Sequence, residues 1–217
     1  MNKSKTSNSN GNADRRRIVV LTAPSGSGKT SIARRVMAQM PDLRFSVSVT
    51  TRPIRHYERD GVDYHFVSPE TFNDYIESGE LLEYQEVYPG RLYGTLQREV
   101  DRTAAEGPVL LDIDVKGALN VREAFGTDCF VIFIRPPSLE ELEKRLTLRG
   151  SEDPSSLADR IDKATYELEH QDRFDAVVVN EDLDSAVTDT LALIHSFLDA
   201  DPDSNPAIES RQRKNGD

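Results

Sequence analysis

Apolar residues fall along this chain of 217 residues in short continuous runs, separated by stretches where they recur every three or four positions. The first run, Ile18-Val-Val-Leu21, is rich in β-branched residues and shows no polar alternation, which predicts a strand buried on both faces. Runs of the same kind follow at Pro108–Asp114, Cys129–Ile134 and Asp175–Asn180. Between them, Ile32, Ala33, Val36, Met37 and Met40 keep helical spacing, and residues 69–76, 95–106, 116–125, 157–171 and 184–198 read as helices. A further charged helix follows Ser138 and runs to Arg149. Strand and helix in alternation predict a mostly parallel sheet covered on both faces, with ligands at the carboxyl ends of its strands.

One stretch breaks this rhythm. Ser46-Val-Ser-Val-Thr50 alternates and predicts a short strand, but residues 51–69 are dense in Arg, Asp, Gly and Tyr and cannot supply a core strand of the main sheet. They predict an inserted subdomain. Leu81–Val87 reads as a strand and Tyr88-Pro-Gly-Arg91 as a turn. Residues 1–14 and those from Asp199 onward are polar and lack periodicity, so disordered tails are expected there.

Composition narrows the function. Asp and Glu number 38 against 27 Lys and Arg, a formal net charge of -11, which argues against nucleic acid as the main ligand. The single cysteine, Cys129, excludes an internal disulfide framework and sits in an apolar run as a core filler. No apolar run approaches the ~20 residues of a membrane span, and Met1–Asn12 has no apolar segment of a secretory signal. A soluble cytoplasmic protein, with no membrane partner, is expected; the sequence leaves its oligomeric state open.

The chemistry begins right after the first run. Ala23-Pro-Ser-Gly-Ser-Gly-Lys-Thr30 lies between the strand and the first helix, the strand–P-loop–helix arrangement. Backbone amides of Pro24-flanking Ala23, Ser25, Gly26, Ser27 and Gly28, together with the helix N-terminus, suit a polyphosphate. Lys29 can reach the β- and γ-phosphates, and the Thr30 hydroxyl can hold Mg²⁺. The strict pattern starts with Gly where this chain has Ala23. Asp112 and Asp114 end a buried strand, as a carboxylate that holds Mg²⁺ or its waters would. The alternative is a pair of capping aspartates before the helix at 116–125. Arg52 and Arg55 offer guanidinium forks for a second phosphate, with Ser48 and Tyr64 as hydroxyl donors. A solvated, charged loop is the plainer account of that stretch.

Taken together, Ala23–Thr30, Ser46–Arg55, Gly61-Val-Asp-Tyr64, Tyr93-Gly-Thr95, Leu111-Asp-Ile-Asp114 and Val179-Asn-Glu-Asp182 resemble guanylate kinase, over about residues 17–198. The resemblance implies an α/β fold: a P-loop NTPase-type three-layer sandwich with a parallel central sheet, an inserted mixed α+β GMP-binding subdomain and a helical lid. The core would be residues 15–45, 96–136 and 172–198, the GMP-binding subdomain 46–95 and the lid 137–171. The resemblance also implies transfer of the ATP γ-phosphoryl group to GMP, in purine nucleotide metabolism. Ser48, Arg52, Arg55 and Tyr64 would bind the GMP phosphate and Tyr93 would complete that shell. Glu83 and Thr95 would read the guanine with help from Asp114, and Asp112 would act through Mg²⁺, held by way of water. Lys29 and the loop amides would hold ATP, with Asn180 near its adenine. Arg145, Arg149 and Arg160 match arginines that fold over the transferring phosphates, although ion pairing with Glu141 is an ordinary alternative for such helix-surface positions. The 88–95 loop is one residue longer than the common family form. Two other classes compete: a peptide-binding scaffold, disfavoured by the retained Lys29 and Thr30, and a kinase for another phosphorylated acceptor, disfavoured by Glu83 and Thr95.

Overall fold

The computed structural model describes residues 17–148 and 154–200. The expectations for residues 1–14, for Arg149 and for the tail beyond Ala200 lie outside them. Five parallel strands form the central sheet: β1 (Ile18–Thr22), β2 (Arg44–Phe45), β7 (Val109–Asp112), β8 (Cys129–Arg135) and β9 (Ala176–Val179), in the order β2-β7-β1-β8-β9. Ile18–Leu21 is fully buried, as a continuous apolar run in the middle of a parallel sheet requires. One face packs against α1 (Lys29–Gln39) and α7 (Leu183–Asp199), through Val19, Leu21, Ile32, Val36, Ile132 and Ile194. The other face packs against α3 (Gln97–Ala104) and α4 (Val115–Phe125), through Val20, Leu111, Val131, Val100 and Val121. Cys129 is buried in this second cluster, and burial pushes its thiol up to about 12, which fits a filler and not a nucleophile.

A second, smaller sheet is mixed. It comprises β3 (Val49–Thr50), β4 (His65–Phe66), β5 (Leu81–Tyr88) and β6 (Arg91–Leu96), in the order β4-β3-β6-β5. Its core is Val49, Phe72 and Leu96 under α2 (Pro69–Glu77). Ser68 caps α2 by accepting from the Thr71 amide, and Pro69 fills the first turn, where no amide partner is needed. The helices α5 (Leu139–Leu148) and α6 (Pro154–Leu168) share a separate cluster of Leu142, Leu146 and Ala164.

Three sequence expectations change. The strand expected at 46–50 shortens to β3: Ser46 lies just past β2, its amide still donating to the Leu110 carbonyl in the main sheet, while Val49 and Thr50 pair with Gly94 and Tyr93 in the second sheet. The helix expected from residue 95 starts at Gln97, because Thr95 and Leu96 close β6. That strand went unread because Pro89, Gly90 and Gly94 interrupt its alternation. The helix expected from 157 starts at Pro154 and ends at Leu168, with a 3₁₀ turn at Gln171–Arg173 beyond it.

Candidate active site

The loop after β1 turns on two glycines with left-handed φ, Gly26 at 94° and Gly28 at 89°. Among the described residues no other residue type has positive φ, so the turn demands glycine there. Gly28 is the N-cap of α1, whose first turn contains no acidic residue, so its partial positive charge is left for an anion. Asn180, at the end of β9, braces the loop: its buried amide donates to the Ser27 carbonyl at 2.7 Å. A side chain at Gly28 would run into that amide. Ala23, at the place of the first glycine, is buried in the core cluster with Leu21 and Ile32, where its methyl group fits. Pro24 is buried, Ser25 is half-buried, and the Ser27 hydroxyl is buried without a partner.

Lys29 reaches the carboxyl end of β7, where its ammonium pairs with Asp112 and donates to the Ile113 carbonyl at 2.9 Å. The Thr30 hydroxyl lies 3.4 Å from the other Asp112 oxygen. A hydroxyl and a carboxylate at the foot of a phosphate loop fit Mg²⁺, which keeps waters and takes phosphate oxygens instead of a protein cage. Among the described residues, no cluster of three or more His, Cys, Asp or Glu side chains suited to a metal occurs. Asp114 acts as the capping residue considered from sequence: it accepts from the Gly117 amide at 2.8 Å and starts α4.

The second sheet faces this end. Arg52 is buried and grips Glu58 with both guanidinium nitrogens, at 2.6 and 2.5 Å. Burial is the largest single influence and opposes the Arg52 charge, but the bond to Glu58 together with the electrostatic pull of Tyr93, Glu58 and Tyr64 outweighs it and raises the guanidinium pKa. Glu58, in turn, is held below the usual carboxylate range, chiefly by Arg52. The guanidinium also lies over the rings of Tyr64 (4.9 Å) and Phe66 (5.3 Å), and the Tyr64 ring meets that of Tyr93 edge-on at 5.9 Å. Burial raises the Tyr64 phenol pKa, keeping it a hydrogen-bond donor. Ser48 is buried beside this group of strands, whereas Arg55 is exposed and touches the Tyr57 hydroxyl at 3.2 Å. Glu58 is a site residue that the sequence pattern does not single out. Its signal was an acid six positions after Arg52 in a loop otherwise short of apolar anchors.

Glu83 on β5 is only 6% exposed and accepts from the Thr95 hydroxyl at 2.6 Å. Burial pushes its carboxyl up to about 7, with Asp114 adding in the same direction against the Thr95 bond. The carboxylate rests on α4 at Gly117, where a Cβ would come within 2.5 Å of an oxygen. The long 88–95 loop leaves this pair intact. Glu83 stands opposite Thr95, and the register shifts on both sides of it, between Leu81 and Glu83 and again between Glu86 and Tyr88 near the turn.

On α5, Arg145 pairs with Glu141 at 3.1 Å, the ordinary helical pairing, and also donates to the Asn180 carbonyl at 3.3 Å beside the P-loop. Leu142 and Leu146 of the same helix close over Gly26. Arg160 lies on α6. That helix also carries an unforeseen acid, Glu167, 4% exposed, with burial pushing it up to about 7. The available signal was its position at helical spacing from the buried Ala164.

A P-loop on a parallel sheet, an acidic strand end against its lysine and a second sheet with a buried arginine and a buried carboxylate together define a P-loop phosphotransferase with two substrate sites. The Guanylate kinase family pattern matches residues 15–197. Similar proteins include the guanylate kinase of Salinibacter ruber, 61% identical over 84% of this chain and 97% of that protein. The guanylate kinase of Bacteroides thetaiotaomicron is 44% identical over 84% of this chain and 90% of its own. Among solved structures, guanylate kinase from Anaplasma phagocytophilum superposes with a TM-score of 0.71 at 31% identity, covering 86% of this chain and 88% of that one. The chain belongs to the guanylate kinase family, and its activity is ATP:GMP phosphoryl transfer, giving ADP and GDP. No helix among the described residues is long and apolar enough to cross a membrane.

Proposed function

We propose that the P-loop, Ala23–Thr30, binds the ATP phosphates and that the second sheet binds GMP at the same end of the molecule. The observation that carries this reading is Glu83, a buried carboxylate bonded to Thr95 at 2.6 Å and seated against α4 beside Asp114. An ionised carboxylate only accepts, which matches the N1–H and exocyclic amine of guanine; adenine presents an acceptor at N1. Thr95 turns its hydroxyl from Glu83 toward guanine O6, and Asp114 assists from the start of α4. Arg52, Arg55, Ser48, Tyr64 and Tyr93 take the acceptor phosphate, with Arg52 exchanging part of its grip on Glu58 for phosphate oxygens.

On the donor side, Lys29 exchanges Asp112 for the β- and γ-phosphates, and the loop amides from Ala23 to Thr30 cradle the rest. Asn180 acts at the ATP site by holding the loop in shape. Thr30 and Asp112, the latter through water, are the residues that would hold Mg²⁺, which when bound neutralises phosphate charge. Arg145 and Arg149 belong to a lid over residues 137–171 and bring positive charge to the transferring group. Segment 46–95 closes as a unit on the core of residues 15–45, 96–136 and 172–198. Catalysis then rests on in-line positioning and electrostatic stabilisation, with no covalent enzyme intermediate. Closure excludes water and limits hydrolysis of ATP. ATP and GMP are intracellular metabolites, which supports a cytoplasmic place for the reaction.

A coupled assay with MgATP and GMP, AMP, UMP or ribose 1,5-bisphosphate as acceptor tests the assignment, run on wild type and Glu83→Gln. The expected result is strong selectivity for GMP in wild type that narrows in the variant. Equal selectivity in both removes Glu83 from base reading.

A further inference from the structure

The hairpin β5–β6 runs in register from Glu83↔Thr95 through Glu86↔Leu92 and resumes at Tyr88↔Arg91. Val87 is therefore left without an opposite residue, and a bulged residue's backbone groups leave the ladder. Its carbonyl is taken up from outside the sheet: Lys163 Nζ donates to it at 3.0 Å. Lys163 belongs to α6, in the lid region, and its ammonium also lies 3.7 Å from Glu167 one helical turn on. Glu167 is buried, so it anchors the lysine from the protein side while the ammonium reaches across to the bulge. Val87 is four residues along the strand from Glu83. Arg160 stands three residues before Lys163, on the same side of α6.

We propose that Lys163 is a positioning residue for the acceptor nucleotide: its ammonium clamps the bulged end of the guanine-reading hairpin to α6 and so holds Glu83 and Thr95 in place against α4. This rests on the reading of Glu83 and Thr95 as the guanine contacts. The clamp ties the acceptor sheet to the helix that bears Arg160, so its loss is felt first in GMP binding. A lysine that served only to satisfy Glu167 would instead affect stability and both substrates alike.

The test compares Lys163→Met, which keeps the stem and deletes the ammonium, with Lys163→Arg, which keeps a cationic donor. Lys163→Met/Glu167→Gln guards against an orphaned buried carboxylate. Steady-state kinetics are measured for GMP at saturating MgATP and for ATP at saturating GMP, with Glu83→Gln run in parallel. Lys163→Met and the double variant are expected to raise KM for GMP roughly fivefold, with kcat and KM for ATP within about twofold of wild type. Lys163→Arg is expected to bring KM for GMP back to within about twofold. An unchanged KM for GMP in both Met variants, a parallel rise in both KM values, or no recovery with arginine overturns the clamp. If Glu83→Gln raises KM for GMP while Lys163→Met does not, the clamp alone fails. If Glu83→Gln leaves GMP kinetics untouched, the base-reading assignment fails and the clamp with it.

Discussion

Replacing Glu83 with glutamine removes a buried charge while keeping its shape, and the two consequences have opposite signs. In the free enzyme the carboxyl is 6% exposed, and burial raises it from 4.5 to about 7. Between these values the folded protein holds a proton that the unfolded chain has released. Stability from this group is therefore fully present below about 4.5 and is lost as pH rises through about 7. The full difference above that window is about 3 kcal/mol. Urea unfolding of wild type and Glu83→Gln should thus diverge with pH: similar stabilities near pH 5, and a more stable variant near pH 8. Activity should move the other way, because the ionised carboxylate is what accepts from guanine. The variant should lose at least roughly tenfold in kcat/KM for GMP, about 1.4 kcal/mol. Its preference for GMP over AMP should narrow while KM for ATP stays nearly constant. In wild type, kcat/KM for GMP should rise between pH 6 and 8 more steeply than in Glu83→Gln, which still reports the titration of the GMP phosphate itself near pH 6. Parallel pH profiles together with an unchanged GMP-to-AMP ratio would refute the reasoning, since they would leave Glu83 ionised without cost and unconnected to the base.

Lys29→Ala should cut kcat by roughly a hundredfold or more with the circular dichroism spectrum unchanged, because Lys29 answers charge that grows in the transition state; near-normal turnover would remove it from the mechanism. Asn180→Ala deletes the brace on the Ser27 carbonyl. It should raise KM for ATP and lower unfolding stability by about 1–3 kcal/mol, read by ATP kinetics and urea denaturation. Glu58→Gln strands the buried Arg52 guanidinium and should cost about 3–5 kcal/mol of stability in the same denaturation experiment. A negligible loss would mean that Arg52 is solvated and not dependent on its partner.

The core sheet was legible because its strands are unbroken apolar runs, Ile18–Leu21 and Cys129–Ile134 above all, and such runs have one favourable place, inside a covered parallel sheet. The P-loop was legible because Gly26 and Gly28 perform a backbone task that other residues do poorly. The second sheet was harder to read. Its strands at Val49–Thr50 and His65–Phe66 are two residues long, too short for any periodicity. The Lys163 bond to the Val87 carbonyl joins residues far apart in the chain, and no local pattern encodes an approach of that kind, whereas the Lys163–Glu167 pair has ordinary helical spacing and the Arg52–Glu58 pair lies within one loop whose irregular backbone has no period to read. Arg145 shows the opposite limit, since the helical pair with Glu141 and the contact with the Asn180 carbonyl coexist, and sequence spacing alone reveals only the first.

In the proposed ternary complex GMP lies on the second sheet with its base edge against Glu83, facing a donor held by the P-loop. The most direct measurement is a crystal structure with GMP, Mg²⁺ and a non-hydrolysable ATP analogue. Guanine N1 and N2 are expected within about 3 Å of the Glu83 carboxylate. The GMP phosphate is expected among Arg52, Arg55, Tyr64 and Tyr93, and Lys29 on the donor phosphates instead of on Asp112. Guanine bound away from Glu83, or a GMP phosphate that leaves Arg52 wholly on Glu58, would contradict it.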